Sequence, residues 1–82
     1  MEKIFESSLL GFKVILYSDH LFYKKGFMNK EFSIPLSEVS SIELFNPLTQ
    51  KLRIRTTSGK KYDIIIRLSL KRKLYDLIMS QR

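Results

Sequence analysis

Leu52-Arg53-Ile54-Arg55-Thr56-Thr57-Ser58-Gly59-Lys60-Lys61-Tyr62-Asp63-Ile64-Ile65-Ile66 reads as two β-strands joined by a tight turn. Successive side chains on a strand point to opposite faces. Leu52, Ile54 and Thr56 therefore share one face of the first strand, and Tyr62, Ile64 and Ile66 one face of the second. A two-residue Ser58-Gly59 loop would set Ile54 against Asp63 and Arg53 against Ile64, mixing apolar and charged faces. A three-residue Thr57-Ser58-Gly59 loop pairs Ile54 with Tyr62, Leu52 with Ile64 and Arg53 with Asp63, and only this register keeps one face apolar. Such loops commonly end on a residue with positive φ, which Gly59 adopts without steric cost. The longer loop is predicted, with Arg53 and Asp63 as an exposed cross-strand pair.

Outward from the hairpin, Leu68 to Gln81 carries Leu70, Leu74, Leu77 and Ile78 on one arc of a helical wheel, so a helix is expected there with Ser69 as its N-cap. Tyr75 and Met79 lie off that arc on a second, partly apolar face. Upstream, Leu9 to Tyr17 reads as a strand, Ser18-Asp19-His20 as a turn, and Leu21 to Lys24 as the return. Lys25-Gly26 turns the chain again, and the polar middle of 27–34, Asn29-Lys30-Glu31, belongs at a sheet edge or in a loop. Pro35, lacking an N–H, marks a strand end. Ser37 is placed to cap a single turn before the strand Val39 to Phe45, and Asn46-Pro47-Leu48-Thr49 is a loop. Ser7-Ser8 reads as a break, leaving residues 1–8 as a lead-in strand or flexible tail and 9–82 as one domain.

Short strands at regular spacing with turn signals between them imply a sandwich or barrel. The fold class expected is mainly β (α+β): a bent antiparallel sheet system of six to seven strands, capped by one C-terminal α-helix. Leu16, Leu36, Val39, Ile42, Leu44, Leu52, Ile54, Ile64, Ile66, Leu70, Leu74, Leu77 and Ile78 should dominate its core.

Composition narrows function by exclusion. With 82 residues, 44% of them hydrophobic, the chain is one small globular domain. It holds no cysteine, which removes disulfides, thiolate metal sites and a thiol nucleophile. His20 is the only histidine and reads as a turn residue. The acids are scattered with no pair spaced for acid–base work, and no nucleotide, zinc or hydrolase motif is present. The expectation is a non-enzymatic protein with no metal, no cofactor and no small-molecule substrate. No apolar run approaches the roughly 20 residues that span a bilayer, and the N-terminus lacks the apolar segment of a signal peptide. A cytoplasmic protein is expected, with the inner face of the membrane as a peripheral location.

Net charge is +7, and ten of the fifteen Lys and Arg residues fall within 51–82, against Asp63 and Asp76 alone. Polyanions are natural partners for such a surface. Arg53, Arg55 and Lys61 on the outer face of the hairpin are candidate anion-binding residues, as are Lys71, Arg72 and Lys73 in the first turns of the helix. Tyr75 and Met79, with Phe45 and Leu48, which alternation leaves without clear core partners, are candidate partner-interface residues; Phe27 shares that ambiguity. A nucleic-acid interface would need exposed aromatics beside the charges, and Tyr62 is expected to face inward.

The run Tyr17-Ser18-Asp19-His20-Leu21-Phe22-Tyr23, then Gly26, then Ile34-Pro35-Leu36-Ser37-Glu38-Val39-Ser40-Ser41-Ile42-Glu43-Leu44, resembles small bacterial pleckstrin-homology-like (PH-like) domains. The hairpin 52–62 resembles the one that follows in that family, so the resemblance covers roughly residues 9–81. It implies a strand meander closed by a C-terminal helix. PH-like folds host phosphoinositide binding, peptide binding and scaffolding, so the fold does not select among them. The lipid-binding subset carries basic residues around its first hairpin; Lys13, Lys24 and Lys25 stand near that place, without the trailing arginine of the pattern. The resemblance implies an interaction or assembly module acting on a protein partner or on itself, with anionic lipid headgroups as a further partner. Nucleic acid is the alternative.

Overall fold

The computed structural model describes residues 3–26, 30–46 and 48–81. Four strands, β1 (Phe5–Leu9), β2 (Phe12–Leu16), β3 (His20–Lys25) and β4 (Lys30–Pro35), form an antiparallel meander in the order β1-β2-β3-β4. A 3-10 turn, Leu36–Glu38, leads to a second antiparallel sheet of β5 (Val39–Glu43), β6 (Lys51–Thr56) and β7 (Lys61–Ile65), and α1 (Leu68–Gln81) ends the chain. The sheets pack over one core without closing into a barrel, so the sandwich is the form adopted, with α1 as its cap. Val14, Leu16, Leu21, Tyr23 and Ile34 meet Val39, Leu52, Ile54, Ile64, Ile66, Leu74 and Ile78 in that core. Among the described residues no helix is long and apolar enough to cross a membrane.

The β6–β7 register is the one that apolar matching selects: Ile54 opposes Tyr62, Leu52 opposes Ile64 and Arg53 opposes Asp63. The loop is the three-residue one. Thr56 N–H donates to Lys60 O (2.9 Å), and Gly59, at φ 91°, donates back to Thr56 O (3.0 Å). Each expected core residue is buried or packs against the core; Phe5, Val14, Leu21, Tyr23 and Ile34 complete it.

Several boundaries differ from expectation. The segment from Leu9 to Tyr17 is not one strand, because Leu10 (φ 51°) and Gly11 (φ 85°) turn the chain between β1 and β2. Positive φ at both central residues is the signature of a type I′ hairpin turn, whose twist matches its strands. Ser7-Ser8 is therefore no break: both lie within β1, opposite Val14 and Lys13, and Ser7 is buried. His20 belongs to β3, opposite Pro35. Lys30 and Glu31 lie on the edge strand β4, as their polarity suggested, while Phe27 and Asn29 lie outside the described residues. Ser37 makes no capping bond; Pro35 holds the N-cap position of the 3-10 turn. A bulge between Val39 and Ser41 shifts the β5 register, and β5 ends at Glu43, so Leu44 and Phe45 leave the sheet. Finally, α1 starts at Leu68, which puts Ser69 inside its first turn.

Candidate docking surface

The candidate anion-binding residues fall in three places. On the outer face of the first sheet Lys13 and Lys24 are cross-strand neighbours, each beside a carboxylate: Lys13 Nζ lies 3.3 Å from Glu6, and Lys24 Nζ 3.8 Å from Glu31. The Lys13 hydrogen bond is the main reason the Glu6 carboxyl titrates below its usual value. Lys25, one residue on, points to the opposite face and lies 5.8 Å above the Phe32 ring. The first-hairpin lysines are thus divided between two surfaces.

On the outer face of the second sheet, Arg53 Nε donates to Asp63 (2.8 Å) and Arg55 Nε to Glu43 (2.6 Å). The Arg53–Asp63 pair is partly buried, against the expectation of a fully exposed one. Arg53, followed by Lys51 and Lys25, holds the Asp63 carboxyl below the usual range. Lys61, opposite Arg55, is exposed.

The third place joins the β5–β6 loop to α1. Phe45 sits at φ 60°, which a bulky residue adopts at a cost of about 1–3 kcal/mol. The Lys51 ammonium (5.0 Å) and the Arg53 guanidinium (5.1 Å) each lie over its ring, which stays 38% exposed. Asn46 Oδ1 accepts the Leu48 N–H (2.8 Å) and Asn46 O the Thr49 N–H (2.9 Å), a side-chain-closed turn that leaves Leu48 80% exposed. Beneath it Lys71, only 4% exposed, donates to Asn46 O (3.0 Å) and Thr49 O (2.9 Å). Burial pushes the Lys71 ammonium below the usual lysine value. This corrects the reading of Lys71 as an anion-binding residue. Its charge is turned inward onto two backbone carbonyls, while Arg72 and Lys73 remain exposed.

Leu44, Phe45, Leu68, Lys71 and Arg72 line a hollow of about 240 Å³. Leu68, Arg72, Tyr75 and Met79 follow one another at helical spacing, so Tyr75 and Met79 share the α1 stripe of the two residues that line the hollow. Arg72 reaches Asp76 (3.3 Å) and lies 5.4 Å over the Tyr75 ring. Tyr75 packs partly against the core, and Met79 is 42% exposed. Of the four expected interface residues Phe45 lines the hollow, Tyr75 and Met79 share the α1 stripe of Leu68 and Arg72, and Leu48 stands on the turn that Lys71 holds; Leu68 was missed because the wheel was read only for its buried arc.

Elsewhere His20 Nδ1 lies 2.6 Å from Asp19 Oδ1, with its ring stacked on Tyr17 (4.6 Å). Among the described residues no group of three or more His, Asp or Glu is placed to hold a metal ion.

No protein-family model matches the chain, and no curated protein matches it in sequence. Its fold is similar to the crystal structure of the C-terminal domain of an unknown protein from Leishmania infantum. The TM-score is 0.69 at 13% identity, over 99% of this chain and 81% of that one. At that identity the likeness shows the fold alone.

Proposed function

We propose that this chain is a non-catalytic docking module of the PH-like type that binds an acidic partner protein through the Phe45–Leu48–Leu68 surface. The observation that carries the reading is the loop held by Lys71. A buried cation, a side-chain-closed turn and a strained aromatic together hold two apolar side chains in water, with Lys51, Arg53 and Arg72 around them. Local strain of this kind is characteristic of binding sites. An apolar centre with a charged rim is the anatomy of a protein interface. The hollow beside Phe45 has room for one inserted side chain, and the rim favours a carboxylate beside it.

The test is selection from a random displayed peptide library on immobilised protein. Wild type should enrich peptides that place an apolar residue next to Asp or Glu, and Leu48→Asp should lose them while keeping its thermal midpoint. Enrichment that is indifferent to Leu48→Asp would refute the surface. A second reading, peripheral binding to an anionic membrane, is favoured by the projection of Leu48 from its turn tip and by the net charge of +7. Each basic residue near an anionic leaflet contributes about 1 kcal/mol. Co-sedimentation with phosphatidylserine vesicles but not with phosphatidylcholine vesicles, lost in Leu48→Asp, would transfer the same surface to that partner. Nucleic acid is less favoured, since Arg53 and Arg55 each face a carboxylate.

A further inference from the structure

We infer that the free edge of β7 is a strand-addition site for an extended acidic segment of a partner protein. The β7 edge is a different element from the Phe45 surface and is open to a strand whether or not that surface binds anything. β7 is an edge strand, hydrogen-bonded to β6 on one side only. The even-numbered residues turn toward β6: Ile66 N–H donates to Gln50 O (3.2 Å), and Thr56 N–H to Lys60 O (2.9 Å). The odd-numbered residues turn the other way, and Ile65 N–H is directed at the Tyr23 hydroxyl (3.4 Å). Backbone direction alternates along a strand, so the N–H and C=O of Lys61 and Asp63 share the outward direction of Ile65. They face a notch of about 200 Å³ between the sheets, bordered by Tyr23, Lys25, Phe32 and Tyr62.

On its far side β4 is also an edge strand. The two edges are bridged by the ring contact of Phe32 with Tyr62 (5.5 Å) and not by a ladder. Exposed edges of this kind are usually covered, bent or charged to prevent pairing. Here the charge is one-signed: Lys25 and Lys61 border the notch, and the single carboxylate, Asp63, is engaged by Arg53. A strand added to β7 would place alternate side chains beside Lys61 and, between them, beside Tyr62 and Phe32. The fitting segment alternates acidic with apolar residues. A second copy of this chain does not fit, because each copy carries +7 and the chain has no run of alternating acids. Strand addition takes affinity from main-chain hydrogen bonds and selectivity from the alternate side chains.

Hydrogen exchange on the free protein tests the edge directly. Lys61 and Asp63 amides should exchange about a hundredfold faster than those of Tyr62 and Ile64, with Ile65 between. Equal protection would overturn the inference. Titration of a blocked peptide of alternating Glu and Val, followed by amide shifts, tests the partner. Shifts and slowed exchange should centre on Lys61 and Asp63 with millimolar affinity, and none up to about 5 mM would overturn the assignment. The same peptide N-methylated at alternate residues should bind at least about tenfold more weakly. Equal binding would show mere charge attraction and sink the strand geometry. Lys61→Pro, which removes an outward N–H, should weaken the peptide far more than Lys61→Ala, without moving the contacts of Leu48.

Discussion

Replacing Lys71 by methionine keeps the length and most of the volume of the side chain and removes only its ammonium. That group makes two hydrogen bonds, to Asn46 O (3.0 Å) and Thr49 O (2.9 Å). A bond from a charged donor contributes about 1.5–3 kcal/mol, but moving an ammonium out of water costs several kcal/mol, so the ion itself comes close to even. What decides the sign is the pair of carbonyls left behind. Each loses about 1–3 kcal/mol when fully dry, and the low end applies because the loop is surrounded by exposed residues. The expected cost is therefore about 2 kcal/mol, or a midpoint lowered by roughly 8–16 °C for a domain of this size. Thermal unfolding followed by circular dichroism measures it. The pH dependence has a definite sign. The fold lowers the Lys71 value below 10.5, so between the folded value and 10.5 the unfolded chain binds more protons, and stability from this group rises with pH. The gap between wild type and Lys71→Met should widen as pH climbs through that window. Acetylation mapped by mass spectrometry gives an independent check, with Lys73 modified rapidly and Lys71 slowly. A midpoint shift under about 3 °C, or equal labelling of the two lysines, would refute the buried-cation account.

Three further perturbations probe the frame around the site. Leu10→Asn should raise the midpoint by roughly 4–8 °C, because an exposed leucine at φ 51° bears about 1 kcal/mol of left-handed strain that asparagine avoids; a neutral or negative shift would remove the strained turn. Tyr23→Phe deletes the hydroxyl that receives Ile65 N–H, and at 3.4 Å the loss should be about 0.5–1 kcal/mol. Faster exchange of the Ile65 amide should accompany it, and an unchanged rate would deny the bond. Leu74→Ala empties a fully buried site and should destabilise by about 2–5 kcal/mol, measured by urea unfolding; a smaller loss would mean that α1 is not packed on the core.

The β6–β7 register was legible because one offset alone keeps Leu52, Ile54, Tyr62 and Ile64 on a single face. The Leu10-Gly11 turn was not, since leucine is a poor turn residue and its positive φ is imposed by pairing between β1 and β2. Ser7-Ser8 looked like punctuation, yet a small buried side chain opposite Val14 serves equally well inside a strand. Arg55–Glu43 is a diagonal contact, Glu43 lying directly opposite Arg53, so the direct cross-strand counting that found Arg53–Asp63 does not reach it. Lys71 left a signal that went unused. Reading Lys71-Arg72-Lys73 as one cluster ignores the turn of about 100° between successive helical residues. Lys71 lies three before Leu74 and seven before Ile78, on the buried stripe.

The distribution of carboxylates, more than the total charge, separates the partners this surface suits. Glu6, Glu31, Glu43, Asp63 and Asp76 stand beside Lys13, Lys24, Arg55, Arg53 and Arg72 respectively. Those cations are already answered in the free protein, so a polyanion would have to displace a carboxylate to use them. Lys51 lies against Phe45, Lys61 and Lys25 border the β7 notch, and Lys71 is buried. Lys30, Lys60, Arg67 and Lys73 are exposed and outside these pairs, so what is left for a ligand is a set of single cations spread over both sheets and α1. A nucleic-acid backbone draws its affinity from the number of phosphates it can neutralise, and the arginines of the β6 face are already engaged by Asp63 and Glu43. An acidic polypeptide needs only one or two carboxylates beside an apolar residue and a run of main chain. That is the combination we propose for the Phe45 surface and the β7 edge.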